Sequence, residues 1–386
     1  MNILIVDRDL IYPPTNGKEI RVAQVVEWLT NRHEVWLACR WSSTGEEPSS
    51  INVVPLETPL LNRKITLTQA WFLSYLFDSN PKYDRFLAQR IVADVGIKDD
   101  LDAVLSASPQ TITATRRIAN QHDALMIVDK HNSYYTILKQ YINNYAFSKT
   151  ICRRAVSNLR AFEQHAINEA NAVVFHSKDD RDLFNVPTRV TSCVIPNGCD
   201  YQKIAEATEH AEPKRRLGIE TDYPVCVFIG SYDYKMNQLA AERIADEIAP
   251  EMPDIQFLLL GRNPPPLRGD NVTTPGFVQD LGGALKLADI GFCPLEFGSG
   301  TKLKMLDYCA AGLPIVTSSI GAQGLPIEDG KNALVRESSS KMCDAIRQLV
   351  ESPKLRDHLG KEAKRLGRKY DWENLLKGYD EIISLE

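Results

Sequence analysis

A glycine- and lysine-rich stretch in the second half of the chain contains residue types that bind a diphosphate. Within residues 295–317, an apolar strand end leads into Gly298 and Gly300, which are followed by Lys302 and Lys304. Glycines allow a ligand to approach the backbone closely. A helix that begins after them directs its free N–H groups and the positive end of its dipole to the same place. The pattern predicts a diphosphate site to which the two lysines add full positive charges.

Two neighbouring residues extend this site toward a nucleotide. Thr301 stands where the predicted helix begins, and Asp307 lies about two helical turns beyond Gly300. The carboxylate of Asp307 can accept hydrogen bonds from ribose hydroxyls. Simple capping of the helix explains the glycine turn equally well, so this interpretation depends on motifs elsewhere in the chain.

Two polar loops in the first half follow strand-like runs. Asn16 and Gly17 precede a helical segment, and residues 129–133, which include Asp129 and His131, follow an apolar run. In parallel α/β sheets, ligands bind beyond the carboxyl ends of the strands, so both loops are candidates for a site. Ordinary turn and cap chemistry accounts for such residues as well.

The elements that would position these loops alternate between strand and helix. Short apolar runs are separated by segments with helical periodicity, which indicates βαβ units and a parallel sheet. The strand-like runs of the first half are Ile3–Val6, Val35–Ala38, Ala103–Leu105, Leu125–Val128 and Ala172–Phe175. The helix between the first two runs carries on one face Ile20, Ala23, Val26 and Leu29.

The same alternation starts again in the second half. Its strand-like runs are Val225–Ile229, Ile255–Leu260, Ile290–Cys293 and Ile315–Thr317. A length of 386 residues also suits two domains. The predicted fold class is therefore α/β, with two Rossmann-like, doubly wound parallel-sheet domains. We place them at residues 1–203 and 204–370, with charged and proline residues up to 216 as the linker, and expect a helix over residues 371–386 to pack back on the first domain.

Composition argues against nucleic acid as a partner. The 45 Lys+Arg and 50 Asp+Glu give a net charge of −5, whereas binding of a phosphate backbone calls for a basic surplus or patch. The eight cysteines form no C-x-x-C pair, and the seven histidines include no pair at helical metal-ligand spacing, so no metal is expected. The sequence shows neither a signal peptide nor a run long enough to span a bilayer. These features predict a cytoplasmic protein.

Several segments together resemble glycosyltransferase family 4, which has the GT-B fold. Residues 295–317, with Asp307-Tyr-Cys-Ala-Ala-Gly312, resemble the donor-binding signature of this family. Ile195-Pro-Asn-Gly-Cys-Asp200 resembles its turn between two domains, and Pro275-Gly-Phe-Val-Gln-Asp280 resembles its loop at the nucleotide base. The resemblance extends over nearly the whole chain, and the motifs are specific in combination rather than singly.

The resemblance implies a retaining, metal-independent transferase whose two domains face each other across a cleft. The first domain would bind the acceptor and the second a nucleoside-diphosphate sugar, with no separate cofactor. Gly17 would approach the donor phosphates from the opposite wall, and the backbone at Val278 would meet the base. His131 falls where the family has a histidine near the transferred sugar, and Asp129 is the rival candidate for that polar contact.

On the sugar side, the chain departs from the family pattern. Ser299 replaces a glutamate that contacts the donor sugar, and a second glutamate is shortened to Asp307. Glu296 lies three residues from the missing glutamate, where a solvated surface position is the simpler interpretation. The identity of the sugar is therefore open.

On the diphosphate side, the family has an arginine and then a lysine after the glycine that corresponds to Gly230. Ser231 and Asn237 occupy those two positions here. The candidates to supply the lost charge are Lys235, Lys302 and Lys304.

The expected partners are a UDP- or GDP-sugar donor and a glycan or lipid-linked acceptor, in glycan, polysaccharide or glycolipid assembly. The aromatic cluster around Trp71 and Tyr75, within residues 60–95, is either the core of an inserted helix, an apolar acceptor groove or a peripheral contact with the inner membrane face. Two other functions remain open. One is a catalytically degenerate GT-B binding or scaffold protein, and the other is a two-lobed sugar-nucleotide epimerase.

Overall fold

A computed structural model shows two compact α/β units. It describes residues 1–12, 14, 16–43, 51–56, 75, 82–97, 100–144, 149–208, 217–219, 222–298 and 300–384. The first unit comprises Met1–Pro196 and Leu376–Glu386, and the second comprises Asn197–Leu375.

The first unit is built on a parallel sheet of seven described strands in the order β3-β2-β1-β4-β5-β6-β7. Its strands are β1 Asn2–Tyr12, β2 Glu34–Ser43, β3 Asn52–Pro55, β4 Ala103–Ser106, β5 Leu125–Lys130, β6 Ala172–Phe175 and β7 Thr191–Val194. The helices between them are α1 Gly17–Thr30, α2 Lys82–Val95, α3 Ile112–His122, α4 Tyr134–Asn144, α5 Lys149–Glu169 and α6 Lys178–Asp182.

The second unit has a parallel sheet of six described strands in the order β10-β9-β8-β11-β12-β13. Its strands are β8 Val225–Ile229, β9 Gln256–Leu260, β10 Val272–Gly276, β11 Ile290–Cys293, β12 Ile315–Thr317 and β13 Leu334–Val335. Its helices are α7 Tyr201–Ala205, α8 Lys235–Arg243, α9 Leu281–Lys286, α10 Leu303–Ala311, α11 Ser319–Ala322, α12 Ser339–Glu351, α13 Pro353–Lys369 and α14 Trp372–Leu375. The predicted fold class, two Rossmann-like units with parallel sheets, is confirmed.

Strand order creates a switch point in each sheet. In the first unit the chain builds outward from β1 to β3 and then returns to place β4 on the other side of β1. In the second unit it builds from β8 to β10 and returns to place β11 beside β8. Loops diverge to opposite faces at such a point, which leaves a crevice beyond the carboxyl ends of the two central strands. The loops after β1, β4, β8 and β11 are therefore the places to look for ligand sites.

The apolar runs fold as central strands of parallel sheets, where burial on both faces favours continuous hydrophobic segments. All four residues of β4, β6 and β11 are buried. The predicted apolar face of α1 needs a correction. Val26 and Leu29 are buried as expected, but Ile20 and Ala23 are only half-buried. The buried stripe of α1 runs instead through Val22, Val25, Val26 and Leu29, with Arg21 beside it.

The boundary between the units lies at Pro196 rather than at residue 203. The N–H of Cys199 donates to the carbonyl of Tyr370 at 2.9 Å, and the N–H of Trp372 donates to the carbonyl of Cys199 at 3.2 Å. These bonds tie the segment after Pro196 into the second unit.

The helix expected over residues 371–386 is divided. Its first part, α14, belongs to the second unit, whereas α15 (Lys377–Ile383) belongs to the first. In α15, the side chains of Tyr379, Ile382 and Ile383 are buried. A side chain at Gly378 would meet Ile195 Cδ1 at 2.9 Å, so this glycine permits close packing on the first unit.

The strands that the sequence did not reveal are β3, β7, β10 and β13. Each lies at or next to an edge of its sheet, is short and is only partly buried, so it lacks the continuous apolar run of a central strand. The loop predicted at residues 275–280 begins inside β10, whose last residues are Pro275 and Gly276.

The segment over residues 60–95 lies largely outside the described residues, including Trp71. Tyr75 is fully buried and packs edge-on against Phe162 at 5.4 Å between ring centroids, and residues 82–95 form α2. At Tyr75, therefore, the side chain is part of the core of the first unit. Among the helices that the structure describes, none has the length and apolar character needed to cross a bilayer.

Candidate functional site

The second unit brings three of the predicted donor-binding residues, Gly230, Asn237 and Lys304, together at the switch point between β8 and β11. Gly230 directly follows β8, and Asn237 lies farther along the chain on α8. A Cβ on Gly230 would lie 2.9 Å from Asn237 Cγ, so the asparagine packs directly on this backbone. The loop after β11 is equally close, since a Cβ on Gly298 would meet Met236 Sδ at 3.1 Å.

Lys304, on the first turn of α10, reaches across this switch point. Its Nζ donates to Asn237 Oδ1 at 2.8 Å and lies 4.0 Å from the centre of the Phe228 ring. Burial lowers the pKa of Lys304 to about 8. The ammonium has an amide oxygen and an aromatic face as its direct contacts in a partly desolvated position, where an anionic ligand would stabilise its charge.

Lys302 stabilises the loop at residues 300–302 through a hydrogen bond within that loop. It is the N-cap residue of α10, and its Nζ donates to the carbonyl of Gly300 at 2.7 Å. Gly300 has φ +71°, a left-handed conformation that favours glycine. Thr301 meets Gly324, where a Cβ would lie 2.8 Å from Thr301 Oγ1. Burial lowers the pKa of Lys302 to about 8.

Asp307 lies farther along α10. Burial, and then the nearby Asp200, raise the pKa of Asp307 to about 7. A carboxyl group whose proton leaves near neutrality can both donate and accept hydrogen bonds, which suits the hydroxyls of a ribose. The residue is half-buried, so part of its side chain remains accessible.

The remaining residues predicted near the donor have different surroundings. The Ser231 hydroxyl donates to Asp233 at 3.2 Å. The side chain of Lys235 is about half exposed, and its Nζ lies 3.9 Å from Glu242 Oε1. Val278 follows β10 and is half-buried. Glu296 is exposed and lies 3.6 Å from the Arg243 guanidinium, as suits a surface carboxylate. Ser299 lies outside the described residues.

In the first unit, His131 follows β5 and is buried beside a second histidine, His176. Its ring meets the ring of His176 edge-on, with 4.9 Å between centroids. In the described part of the chain, its Nε2 is buried and has no hydrogen-bond partner. Burial lowers the pKa of His131 to about 3 and that of His176 to about 4. Both imidazoles are neutral at physiological pH, and His131 keeps one ring nitrogen available.

Asp129 is the centre of a buried network rather than an open ligand. Its carboxylate accepts from Arg21 Nε at 3.2 Å, from the Tyr379 hydroxyl at 2.5 Å and pairs with His176 Nε2 at 3.0 Å. Arg21 also donates to the carbonyl of Pro196 at 3.0 Å. Burial alone would raise the pKa of Asp129, but Arg21 and the histidines hold it well below its usual range. With these contacts, Asp129 is suited to hold its neighbours in position.

A second buried ion pair fixes the loop that carries His131. Glu163 on α5 pairs with Lys130, and its carboxylate accepts from the N–H groups of Tyr134 at 3.0 Å and Tyr135 at 2.9 Å. Lys130 also donates to the carbonyl of Asn132 at 3.1 Å. Both ends of the loop are therefore anchored to one carboxylate on a neighbouring helix.

In the loop at Asn16 and Gly17, Asn16 acts as a helix cap, which is the alternative to a ligand site that the sequence left open. Asn16 is the N-cap of α1, and its side chain accepts from the N–H of Glu19 at 3.1 Å. Gly17 is the first residue of the helix and is exposed. Lys18 Nζ lies 2.6 Å from Asp7 Oδ2 and donates to the carbonyl of Asp9 at 2.9 Å, so it holds the start of α1 against β1.

Arg21, Glu163 and Tyr379 were missed by the sequence reading. Arg21 and Glu163 lie on helices whose polar residues usually face solvent, and Tyr379 is 250 residues from its partner Asp129. Of these, only Arg21 left a sequence signal, because a charged residue next to the apolar stripe of α1 needs a buried partner.

Replacing Tyr379 with phenylalanine is expected to lower the free energy of unfolding of the first unit by about 1–3 kcal/mol, because hydrogen bonds to charged groups contribute that much. The hydroxyl donates to Asp129 and accepts from Arg21 Nη2 at 2.9 Å. Urea unfolding followed by circular dichroism measures the change. Tyr223, which is exposed, gives the matched control Tyr223→Phe, whose stability should stay within about 0.5 kcal/mol of the wild type. Equal effects of the two substitutions would contradict the assignment.

Among the described residues, no group of three or more His, Cys, Asp or Glu side chains is arranged to hold a metal ion.

Solved structures share this fold over the whole chain. Sucrose-phosphate synthase from Thermosynechococcus elongatus has a TM-score of 0.73 at 15% sequence identity, covering 99% of this chain and 98% of that chain. HepE from Anabaena, solved in complex with UDP-glucose, has a TM-score of 0.64 at 15% identity, covering 100% and 99%. The protein has the GT-B fold.

A family model matches the second unit. Residues 223–352 match the family Glycosyl transferases group 1, and this match confirms the resemblance seen in the sequence for the second unit. Phosphatidyl-myo-inositol mannosyltransferase from Mycobacterium leprae is 26% identical over 192 residues, which make up 46% of this chain and 49% of that protein. The chain thus spans about half the length, or less, of the first curated relatives it matches.

Proposed function

We propose that the protein is a retaining, metal-independent glycosyltransferase that moves a sugar from a nucleoside-diphosphate sugar to an acceptor hydroxyl. The observation that carries the proposal is the meeting of Gly230, Asn237, Gly298 and Lys304 at the switch point of the second sheet. Phosphates bind at such points because glycine turns and helix starts present backbone N–H groups there. The group 1 match covers the same region, and HepE of the same fold binds UDP-glucose.

In the proposed reaction, the bond between the anomeric carbon and the diphosphate breaks and a bond to the acceptor oxygen forms on the same face. The acceptor proton passes to the departing phosphate, whose growing negative charge must be stabilised. Backbone N–H groups around Gly300, the start of α10 and the cations at Lys302 and Lys304 supply preorganised positive potential for this purpose. Asp307 would accept from the ribose hydroxyls, and the backbone at Val278 would lie at the base.

For the first unit, we propose acceptor binding and assign His131 as the polar contact to the transferred sugar. Its neutral imidazole, with a free Nε2, suits a hydrogen bond to a hydroxyl rather than an attack on carbon. Asp129 takes a positioning role through His176. Gly17 and Asn16 stay candidates for a contact with the donor phosphates. We place the protein in the cytoplasm, acting on a glycan or lipid-linked acceptor in glycan, polysaccharide or glycolipid assembly.

The test is a panel of UDP-, GDP- and ADP-sugars, with thermal shift as the binding readout and with donor hydrolysis and sugar transfer as the activity readouts. We expect one donor class to raise the melting temperature and to be consumed. Binding without turnover under any acceptor would favour a degenerate binding protein instead, and an isomerised sugar without transfer would favour an epimerase. Binding of no donor would contradict the proposal.

His131→Ala should lower kcat about 100-fold while the KM for the donor changes little, because a group that orients the reacting sugar acts mainly on the chemical step. Steady-state kinetics with the donor found in the panel measure both constants. His358→Ala, at an exposed histidine of α13, is the matched control and should leave both unchanged. An unchanged kcat in the His131 variant would remove this residue from the site.

A further inference from the structure

Asn237 has a fixed orientation that serves Lys304. Its Nδ2 donates to the carbonyl of Ser231 at 2.7 Å, and its Oδ1 accepts from Lys304 Nζ at 2.8 Å. A carbonyl only accepts and an ammonium only donates, so the amide has one consistent orientation. The residue is 7% exposed, and its side chain packs on Gly230. The buried Asn237 side chain therefore fixes the position of the Lys304 ammonium.

The direct contacts of the Lys304 ammonium are neutral, and Asp307, on the same helix, attracts it without forming an ion pair with it. In the described part of the chain, its Nζ is held by the neutral amide of Asn237 and the face of the Phe228 ring, not by a carboxylate. An amide oxygen and an aromatic face attract an ammonium without removing its net charge. A cation held this way at a strand switch point is available to an anionic ligand.

The ammonium groups of the other two candidate cations are directed elsewhere. Lys235 extends toward Glu242 and is 52% exposed in its side chain, so solvent and a carboxylate screen it. Lys302 uses its Nζ to hold the carbonyl of Gly300 within its own loop. Lys304 is the cation that spans from α10 to the start of α8, where the resemblance expects a lysine at position 237.

We propose that Lys304 is the cation that contacts the donor diphosphate and that Asn237 is its positioning residue. The lysine that the resemblance implies on α8 is absent, and in this proposal Lys304 supplies the cation from α10 while Asn237 holds it in place. This inference rests on the proposed function, because it concerns the same diphosphate.

The first test measures binding of UDP, GDP and ADP, each beside its nucleoside monophosphate, by isothermal titration calorimetry. With the tightest diphosphate, Lys304→Gln should weaken binding about 10- to 100-fold, as expected for loss of a charge-assisted contact. The monophosphate should lose about tenfold less. Lys361→Gln, an exposed lysine of α13, serves as the control and should match the wild type. Circular dichroism verifies that each variant is folded.

The second test separates a positioning role from a merely structural one. Asn237→Asp keeps the shape but places a carboxylate against Lys304, so diphosphate binding should fall about as far as in Lys304→Gln. The double variant Asn237→Lys with Lys304→Gln returns the cation to α8 and should recover diphosphate binding relative to Lys304→Gln alone. Rescue of this kind follows from charge placement and not from core packing.

The outcomes of these tests distinguish failure of the Lys304–Asn237 inference from failure of the proposed glycosyltransferase function. If the wild type binds none of the three diphosphates, the proposed function and the inference both fail. If a diphosphate binds but Lys304→Gln binds it as tightly as the wild type, the inference alone fails. The inference is likewise overturned if Lys235→Gln produces the loss expected for Lys304→Gln, or if the double variant shows no recovery.

Discussion

Replacing Asp129 with asparagine should lower the free energy of unfolding of the first unit by about 3–5 kcal/mol, the usual cost of leaving a buried charge without its partner. Arg21 has a fully buried side chain and pairs with Asp129 at 3.2 Å. In the variant, the guanidinium keeps its hydrogen bonds to Pro196 and Tyr379 but loses its counter-charge. The asparagine amide would also place N–H groups against Arg21, Tyr379 and His176, whose hydrogen bonds are made to the carboxylate. Urea unfolding followed by circular dichroism gives the magnitude.

Two variants show whether the loss comes from the ion pair. Asp182→Asn, at an exposed carboxylate of α6, should change stability by less than about 0.5 kcal/mol. Adding Arg21→Met to Asp129→Asn removes the stranded cation and should restore part of the lost stability, because an apolar replacement of a buried pair is often tolerated. Wild-type stability of Asp129→Asn would show that the network does not hold these elements together.

The sequence predicted the central strands and the glycine loop of the second unit because both depend on local patterns. Val225–Ile229 and Ile290–Cys293 are continuous apolar runs, and the structure gives them the predicted bounds. Gly298 and Gly300 stand out because their φ values of +135° and +71° favour glycine. Such constraints act within a few residues and so remain visible in one sequence.

Contacts between residues that are distant in the chain could not be predicted from the sequence. Asn237 looked like the loss of a cation until the structure placed Lys304 against it at 2.8 Å. In the sequence, Asp129 looked like a ligand because it follows an apolar run, yet Arg21 and Tyr379, from opposite ends of the chain, occupy its oxygens. Which polar groups meet depends on how helices pack over the sheet, and side-chain periodicity carries no information on that choice.

Below pH 6.5, the first unit should become less stable by about 1.4 kcal/mol per pH unit for each of two histidines. Burial lowers the pKa of His131 to about 3 and that of His176 to about 4, whereas an unfolded histidine titrates near 6.5. Above pH 6.5 both states are neutral, so there is no effect. As pH falls below 6.5 the unfolded chain binds two protons that the folded unit excludes, so the loss grows until the folded pKa values are reached.

The second unit should respond in the opposite direction, which allows an internal comparison. Because the pKa of Asp307 is raised to about 7, that carboxyl group takes up a proton in the folded state before the unfolded one as pH falls, and this stabilises the second unit. Native-state hydrogen exchange at pH 7 and 5 should therefore show weaker protection of β5 and β6 at the lower pH, but not of β8 and β11. His131→Leu should remove about half of the acid effect, whereas His358→Gln, at an exposed site, should leave it intact. Equal protection of β5 at both pH values in the wild type would mean that these histidines are not held neutral by burial.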